Sequence, residues 1–134
     1  MDLYAENILD HYRHPRGKQR LRSPSVTHDE VNLSCGDSVT LDLQVTDGRI
    51  TSIGWEGSGC AISQAAMSML AEELVGKSLS DVESLKKEDA YALLGVPIGP
   101  RRTKCALLAL QTLKNAVRKF TGEKAQGWAE TVGA

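Results

Sequence analysis

The spacing of apolar residues changes period twice along the chain, dividing it into a helix, a sheet and a second run of helices. Tyr4, Ile8 and Tyr12 recur every four residues with Leu3 and Leu9 beside them, which predicts an amphipathic helix over residues 2–14. Pro15 ends it, because proline excludes helical geometry at the residue before it. Residues 17–25 are basic and rich in turn formers, and read as a mobile loop. Val39, Leu41, Leu43 and Val45 then alternate with Thr40, Asp42, Gln44 and Thr46, the pattern of a strand with one buried and one wet face. Asp47-Gly48 is a type I′ hairpin signal, and residues 49–55 return as the partner strand. Ile50 and Ile53 are three apart, which predicts a bulge near Thr51 and Ser52. Residues 26–33, with Val26, Val31 and Leu33, supply a third antiparallel strand.

Beyond Cys60 the period becomes helical. Ala61, Ile62, Ala65, Ala66, Met69, Leu70, Leu74 and Val75 predict a helix that stops at Gly76. Ser80-Asp81-Val82-Glu83 reads as a capping box for a short helix ending near Lys87, and a further short helix spans residues 88–94. Residues 95–100 form a Gly/Pro-bordered loop, and Leu107, Leu108, Leu110, Leu113, Val117 and Phe120 mark a last helix over residues 105–120. The fold class is therefore α+β: a small antiparallel three-stranded sheet with helices packed on one face. Residues 1–120 make one domain, and 121–134 form a frayed tail with Trp128 tucked back. Met67 and Met69 read as core packing rather than soft-metal ligands.

Composition narrows the class. With 134 residues and 41% apolar content the chain can build a core of its own, and a net charge of −1 gives no global field toward nucleic acid or membrane. The acidic start lacks the continuous apolar run of a signal peptide, so a cytoplasmic setting with reduced thiols is expected, and a monomer is favoured. Charge is uneven: Arg13, Arg16, Lys18, Arg20 and Arg22 crowd one segment, which reads as a solvated loop, while Arg101, Arg102 and Lys104 precede a cysteine.

Three cysteines, Cys35, Cys60 and Cys105, sit where local patterns break. An odd count cannot be consumed by disulfides, and core cysteines tend to fall inside elements rather than between them. Cys60 is placed to open one helix and Cys105 another, where the helix dipole and unpaired N–H groups stabilise a thiolate. Gly36 between Cys35 and Asp37 lets the backbone turn so that both side chains can face one point. Cys35, Asp37, Cys60 and Cys105 could form a four-coordinate zinc site, and the same sulfurs with one further ligand could hold a two-iron cluster. The gaps of 25 and 45 residues between cysteines exclude ribbon and ferredoxin spacings and make the site depend on the folded domain. A hydrolytic zinc enzyme would need an open coordination position and a base; His11, His14 and His28 are the candidates, in no recognisable motif. A purely structural zinc domain is the other alternative.

Cys35-Gly36-Asp37, Gly57-Ser58-Gly59-Cys60-Ala61-Ile62-Ser63, Lys104-Cys105-Ala106-Leu107-Leu108 and the opening Ile8-Leu9-Asp10-His11-Tyr12-Arg13-His14-Pro15-Arg16 together resemble the U-type iron–sulfur cluster assembly proteins, with their IscU, NifU N-terminal and SufU branches. The resemblance implies a site of Cys35, Asp37, Cys60 and Cys105. It further implies a cysteine desulfurase partner that delivers persulfide sulfur, a 2Fe–2S cluster assembled with iron and passed to carriers or recipient apo-proteins, and zinc in the SufU branch. Lys104 stands where IscU scaffolds carry histidine, and Arg102-Thr103-Lys104-Cys105 is similar to SufU, while the 45-residue gap leaves little room for the insertion that SufU carries there. Within that reading Cys105 is the expected sulfur acceptor, with Lys104 and Arg102 as auxiliary cations lowering its pKa. The two basic segments, including Arg16 and Arg102, are the expected contacts with the desulfurase.

Overall fold

The computed structural model describes residues 3–133, with side chains from residue 5 onward. Helix α1 (Leu3–Arg13) leads into strands β1 (Val26–Asn32), β2 (Asp37–Thr46) and β3 (Arg49–Ser58), paired antiparallel in the order β1-β2-β3. Helices α2 (Ala61–Leu74), α3 (Leu79–Glu83), α4 (Lys87–Leu94), α5 (Thr103–Thr121) and α6 (Trp128–Val132) follow, with a single 3-10 turn at Pro100–Arg102. The α+β class and the three-stranded sheet are as the patterning predicts. None of the described helices is long and apolar enough to cross a membrane.

The hairpin and bulge follow their local chemistry. Asp47 and Gly48 both take positive φ, as a type I′ turn demands. Register slips between Gln44, paired with Ser52, and Val45, paired with Ile50, so Thr51 is the extra residue of the bulge. Val39, Leu41 and Leu43 then meet Ile53 and Trp55 on the inner face, all buried beneath α5 and α2. Leu107, Leu108, Leu110, Leu113 and Val117 form the inward stripe of α5, each contributing about 1.5–3 kcal/mol by leaving water. Gly122, in the left-handed region, ends that helix.

Several expectations shift. In α1 the inward position after Ile8 belongs to His11, whose Nδ1 lies 2.7 Å from Ser68 Oγ, and Tyr12 is exposed; the side chains of Leu3 and Tyr4 lie outside the described residues. In β1 the inward residues are Val26, His28, Glu30 and Asn32, so Val31 and Leu33 point outward, Leu33 being 88% exposed. Phe120 ends the α5 stripe exposed. The α3 box is built on Ser78 rather than Ser80: Ser78 Oγ accepts the Asp81 N–H and the Asp81 carboxylate accepts that of Ser78, both at 3.1 Å. Ser78 is held there because its backbone bridges to Arg49 and the next N–H donates to Gly48 O at 2.9 Å. The tail expected to fray carries α6, which packs on α5 through a half-buried Trp128 and a buried Thr131. Asn115 fastens the connection: its Oδ1 accepts the Gln126 N–H at 2.7 Å and its Nδ2 donates to Gln126 O.

The larger correction concerns the basic segment. It is not a free loop but a strap across the outer face of the sheet. A Cβ on Gly54 would overlap Gln19 O, so the glycine is what lets the strap lie flat. Asp42, expected on the wet face, is fully buried beneath it. Its carboxylate accepts from Arg20 Nε at 2.7 Å, Thr27 Oγ1 at 2.6 Å and the Leu21 N–H at 3.0 Å. Burial pushes its pKa upward, but these bonds and the Arg20 charge outweigh it and hold the group below the ordinary value of 3.8.

A carboxyl more acidic in the folded chain than in the unfolded one stabilises fully above the unfolded pKa and loses that contribution as pH falls through the folded value. Asp42→Ala is therefore expected to cost about 1–3 kcal/mol at pH 7, from donors left unpaired. The gap from wild type should narrow as pH falls below about 4. Urea unfolding at a series of pH values tests this, and a gap constant down to pH 2.5 would mean that ionisation of Asp42 does not hold the strap.

Candidate metal centre

The β1–β2 turn presents the first donor. Asn32 O accepts the Gly36 N–H at 2.9 Å and the Cys35 N–H at 3.3 Å, while Asn32 Oδ1 accepts the Ser34 N–H at 3.3 Å. Gly36 closes the turn at φ +73°, a region most side chains avoid, and leaves Cys35 exposed. Asp37, the first residue of β2, is buried. Its Oδ1 accepts the Cys60 N–H at 2.9 Å, so a sheet residue satisfies a free donor at the start of α2. Gly59 makes this possible: its φ is +147° and a Cβ there would overlap Asp37 Oδ1. Cys60 is the N-cap of α2, half-buried, with Sγ 4.0 Å from Asp37 Oδ2. Buried Ser63 steadies the same corner by donating to Cys60 O at 3.1 Å.

Cys105 arrives from the other side. Helix α5 starts two residues before the expected position, so Cys105 sits inside its first turn and is 2% exposed. Its Sγ lies 3.0 Å from Cys35 Sγ and 3.9 Å from Asn32 Nδ2. One donor atom from each of Cys35, Asp37 and Cys105 falls within 4.8 Å of the others. Of the four residues singled out in the sequence, three thus converge; Cys60 adjoins them through Asp37 rather than joining the trio. Two sulfurs and a buried carboxylate, drawn from a turn, a strand and a helix, are a donor set suited to zinc or iron. No histidine joins the trio among the described residues: His11 is buried against Ser68 and His28 Nε2 lies 2.6 Å from Glu30.

Burial sets the surroundings of Cys105, the residue expected to accept sulfur. Its thiol is pushed well up from its ordinary value, first by burial, then by hydrogen bonds with Cys35 and Asp37, and by the charges of Cys60 and Asp37. Lys104 Nζ stands over the Trp128 ring, 5.6 Å from its centre, and Arg102 is exposed in the 3-10 turn. Arg101 and Lys104 instead line an open groove of about 440 Å³ that begins at Cys35 and Ser34.

The first basic segment is also partly committed to the fold. Arg16 pairs with Asp10 at 2.8 Å and Glu72 at 3.2 Å, and Arg20 with Asp42 and Glu56, whereas Arg13, Arg22, Arg101 and Arg102 have no acidic partner among the described residues. Sequence reasoning did not single out Asn32 or Ser63. An asparagine three residues before a cysteine in a turn signals side-chain bonding to the backbone; Ser63 had no signal beyond its place in a helical first turn.

Residues 3–127 match the family described as the NifU-like N-terminal domain. The iron–sulfur cluster assembly scaffold protein IscU of Thermotoga maritima is 34% identical, with 89% of this chain and 95% of that protein aligned. The zinc-dependent sulfurtransferase SufU of Bacillus subtilis is 33% identical, over 90% of this chain and 92% of that protein. Among solved structures, a putative iron–sulfur cluster assembly scaffold protein for the SUF system from Fervidobacterium islandicum superposes with a TM-score of 0.74 at 28% identity, covering 84% of this chain and 94% of that one.

Gly59→Ala is expected to destabilise the protein by about 1–3 kcal/mol, through the strained backbone, and to displace Asp37. Thermal melting beside a zinc competition titration reads both effects, and a variant matching wild type in melting and zinc affinity would show that the corner tolerates a side chain.

Proposed function

The chain belongs to the NifU-like N-terminal domain family, and from that membership we propose that it serves iron–sulfur cluster biogenesis as a scaffold that takes up sulfur from a cysteine desulfurase. The observation that carries this reading is the convergence of Cys35, Asp37 and Cys105 within 4.8 Å, beside Cys60 at a helix start. Cys35, Asp37, Cys60 and Cys105 are the residues that would hold zinc, or a 2Fe–2S cluster as cargo. A bound divalent ion would keep the thiols ionised and the four segments together.

The exposure gradient supports an order of sulfur uptake. Cys35 is exposed, and Cys105 lies 3.0 Å behind it. The Cys35 thiolate attacks the outer sulfur of the desulfurase persulfide; that S–S bond breaks, the desulfurase cysteine leaves as a thiolate, and Cys35 carries the sulfur as its own persulfide. Cys105 then attacks that outer sulfur, the Cys35–sulfur bond breaks, and the Cys105 proton passes to the leaving Cys35 thiolate 3.0 Å away, so the sulfur moves inward without net oxidation. Building a cluster then requires iron and an external electron donor to reduce that sulfur to sulfide. Recipient apo-proteins or carriers take the product.

A second reading, a zinc-dependent sulfurtransferase that relays sulfur without building a cluster, is favoured by the likeness to SufU and by Lys104 before the last cysteine. Anaerobic reconstitution with iron, cysteine and a desulfurase separates the two: a scaffold develops the visible absorption of a cluster, and a relay does not. On either reading chelation of bound zinc lowers the melting temperature, and Asp37→Ala lowers zinc retention. Equal melting curves with and without chelator would argue against a stabilising metal.

Peptide mass mapping after incubation with desulfurase and cysteine tests the order. Added sulfur is expected on Cys35 in Cys105→Ser, and on neither residue in Cys35→Ser. Full loading of Cys105 in Cys35→Ser would restore Cys105 as the direct acceptor.

A further inference from the structure

We propose that Asn32 is a positioning residue of this centre, holding the segments of Cys35, Asp37 and Cys105 in register and donating a hydrogen bond to the Cys105 sulfur; this rests on the metal-binding reading above. Asn32 is a polar residue 2% exposed at the end of an edge strand, and its groups reach the segments of Cys35, Asp37 and Cys105. Its carbonyl accepts the N–H groups of Cys35 and Gly36. Its backbone is paired across the sheet with Asp37. Its Nδ2 faces Cys105 Sγ at 3.9 Å, at the long end for an N–H···S contact.

The amide's orientation is set by its neighbour. Asn32 Oδ1 accepts the Ser34 N–H, and a flipped amide would bring NH₂ against that donor. The NH₂ group is therefore turned away from the turn and toward the sulfur. A neutral donor suits that place. Two sulfurs 3.0 Å apart beside a carboxylate would repel one another once both had lost their protons to a metal, and an amide N–H offsets part of that charge without introducing a cation that competes with the metal.

The alternative is that Asn32 only braces the turn, and two variants separate the roles. Asn32→Ser keeps a short oxygen for the Ser34 N–H but cannot reach the sulfur, whereas Asn32→Ala loses both. Cobalt(II) titrated into the metal-stripped full chain reports on the sulfurs through their sulfur-to-cobalt charge-transfer band. Both variants are expected to show that band at lower energy than wild type, because a thiolate without its hydrogen bond gives up charge more easily. Both are expected to bind cobalt about tenfold more weakly or worse. If Asn32→Ser folds poorly by circular dichroism, Asn32→Thr, which also keeps a hydroxyl, replaces it. A serine or threonine variant with the wild-type band and affinity would overturn the proposal and leave only the turn brace. A wild-type chain with no such band would overturn the metal reading itself, and the role of Asn32 with it.

Discussion

The hydrogen bond from the Cys60 N–H to Asp37 Oδ1 ties the sheet to the helical layer at the point where the donor residues meet. It settles three things together. A buried carboxylate receives a partner, the start of α2 loses one free N–H, and Cys60 is set beside the trio. The glycine at position 59 exists in this arrangement because the carboxylate needs its space. Asn32 is the cross-strand partner of Asp37, so Asp37 is fixed from β1 and from α2 at once. What the fold assembles is a crowd of donor atoms within 4.8 Å of one another, held by neutral backbone contacts at their edges.

Most of the frame was legible in the chain because it follows local rules. The alternation in β2, the Asp47-Gly48 turn, the bulge at Thr51 and the stripe of α5 each depend on a few neighbouring residues. What was not legible depends on contacts made at long range. Asp42 reads as a surface residue until a strap from residues 17–22 crosses it, and nothing within β2 announces that crossing. His11 outcompetes Tyr12 for the core because Ser68, far along the chain, offers it a hydrogen bond. The site shows the same division. Its cysteines and Asp37 stood out by type and position, but burial, which sets how each thiol behaves, could not be read from flanking charges. Lys104 illustrates the failure: it adjoins Cys105 in sequence and turns away onto Trp128 in space.

Strand β1 shows how an exposed edge is managed. It directs His28 and Glu30 inward, where Glu30 is met by Gln111 at 3.1 Å and Asn115 at 2.9 Å, and turns Val31 outward. Inward charge on an edge strand discourages a second chain from pairing there, since any such strand would have to accommodate the polar seam under α5. The same seam leads directly to Asn32 and Cys105, so the polar interior of this edge and the donor cluster form one continuous feature rather than two.

The span between Cys35 and Cys105, 70 residues of chain, also sets a clock. Chains emerge from the ribosome amino end first, and contacts between distant segments are the last and slowest to form. Cys35, Asp37 and Cys60 are all synthesised before α5 exists, so a growing chain presents a donor set that still lacks Cys105. The complete donor set comes into being when α5 is made and docks on the sheet. A metal taken up by the full donor set would thereby have to wait until α5 is made, a form of quality control written into the order of the chain.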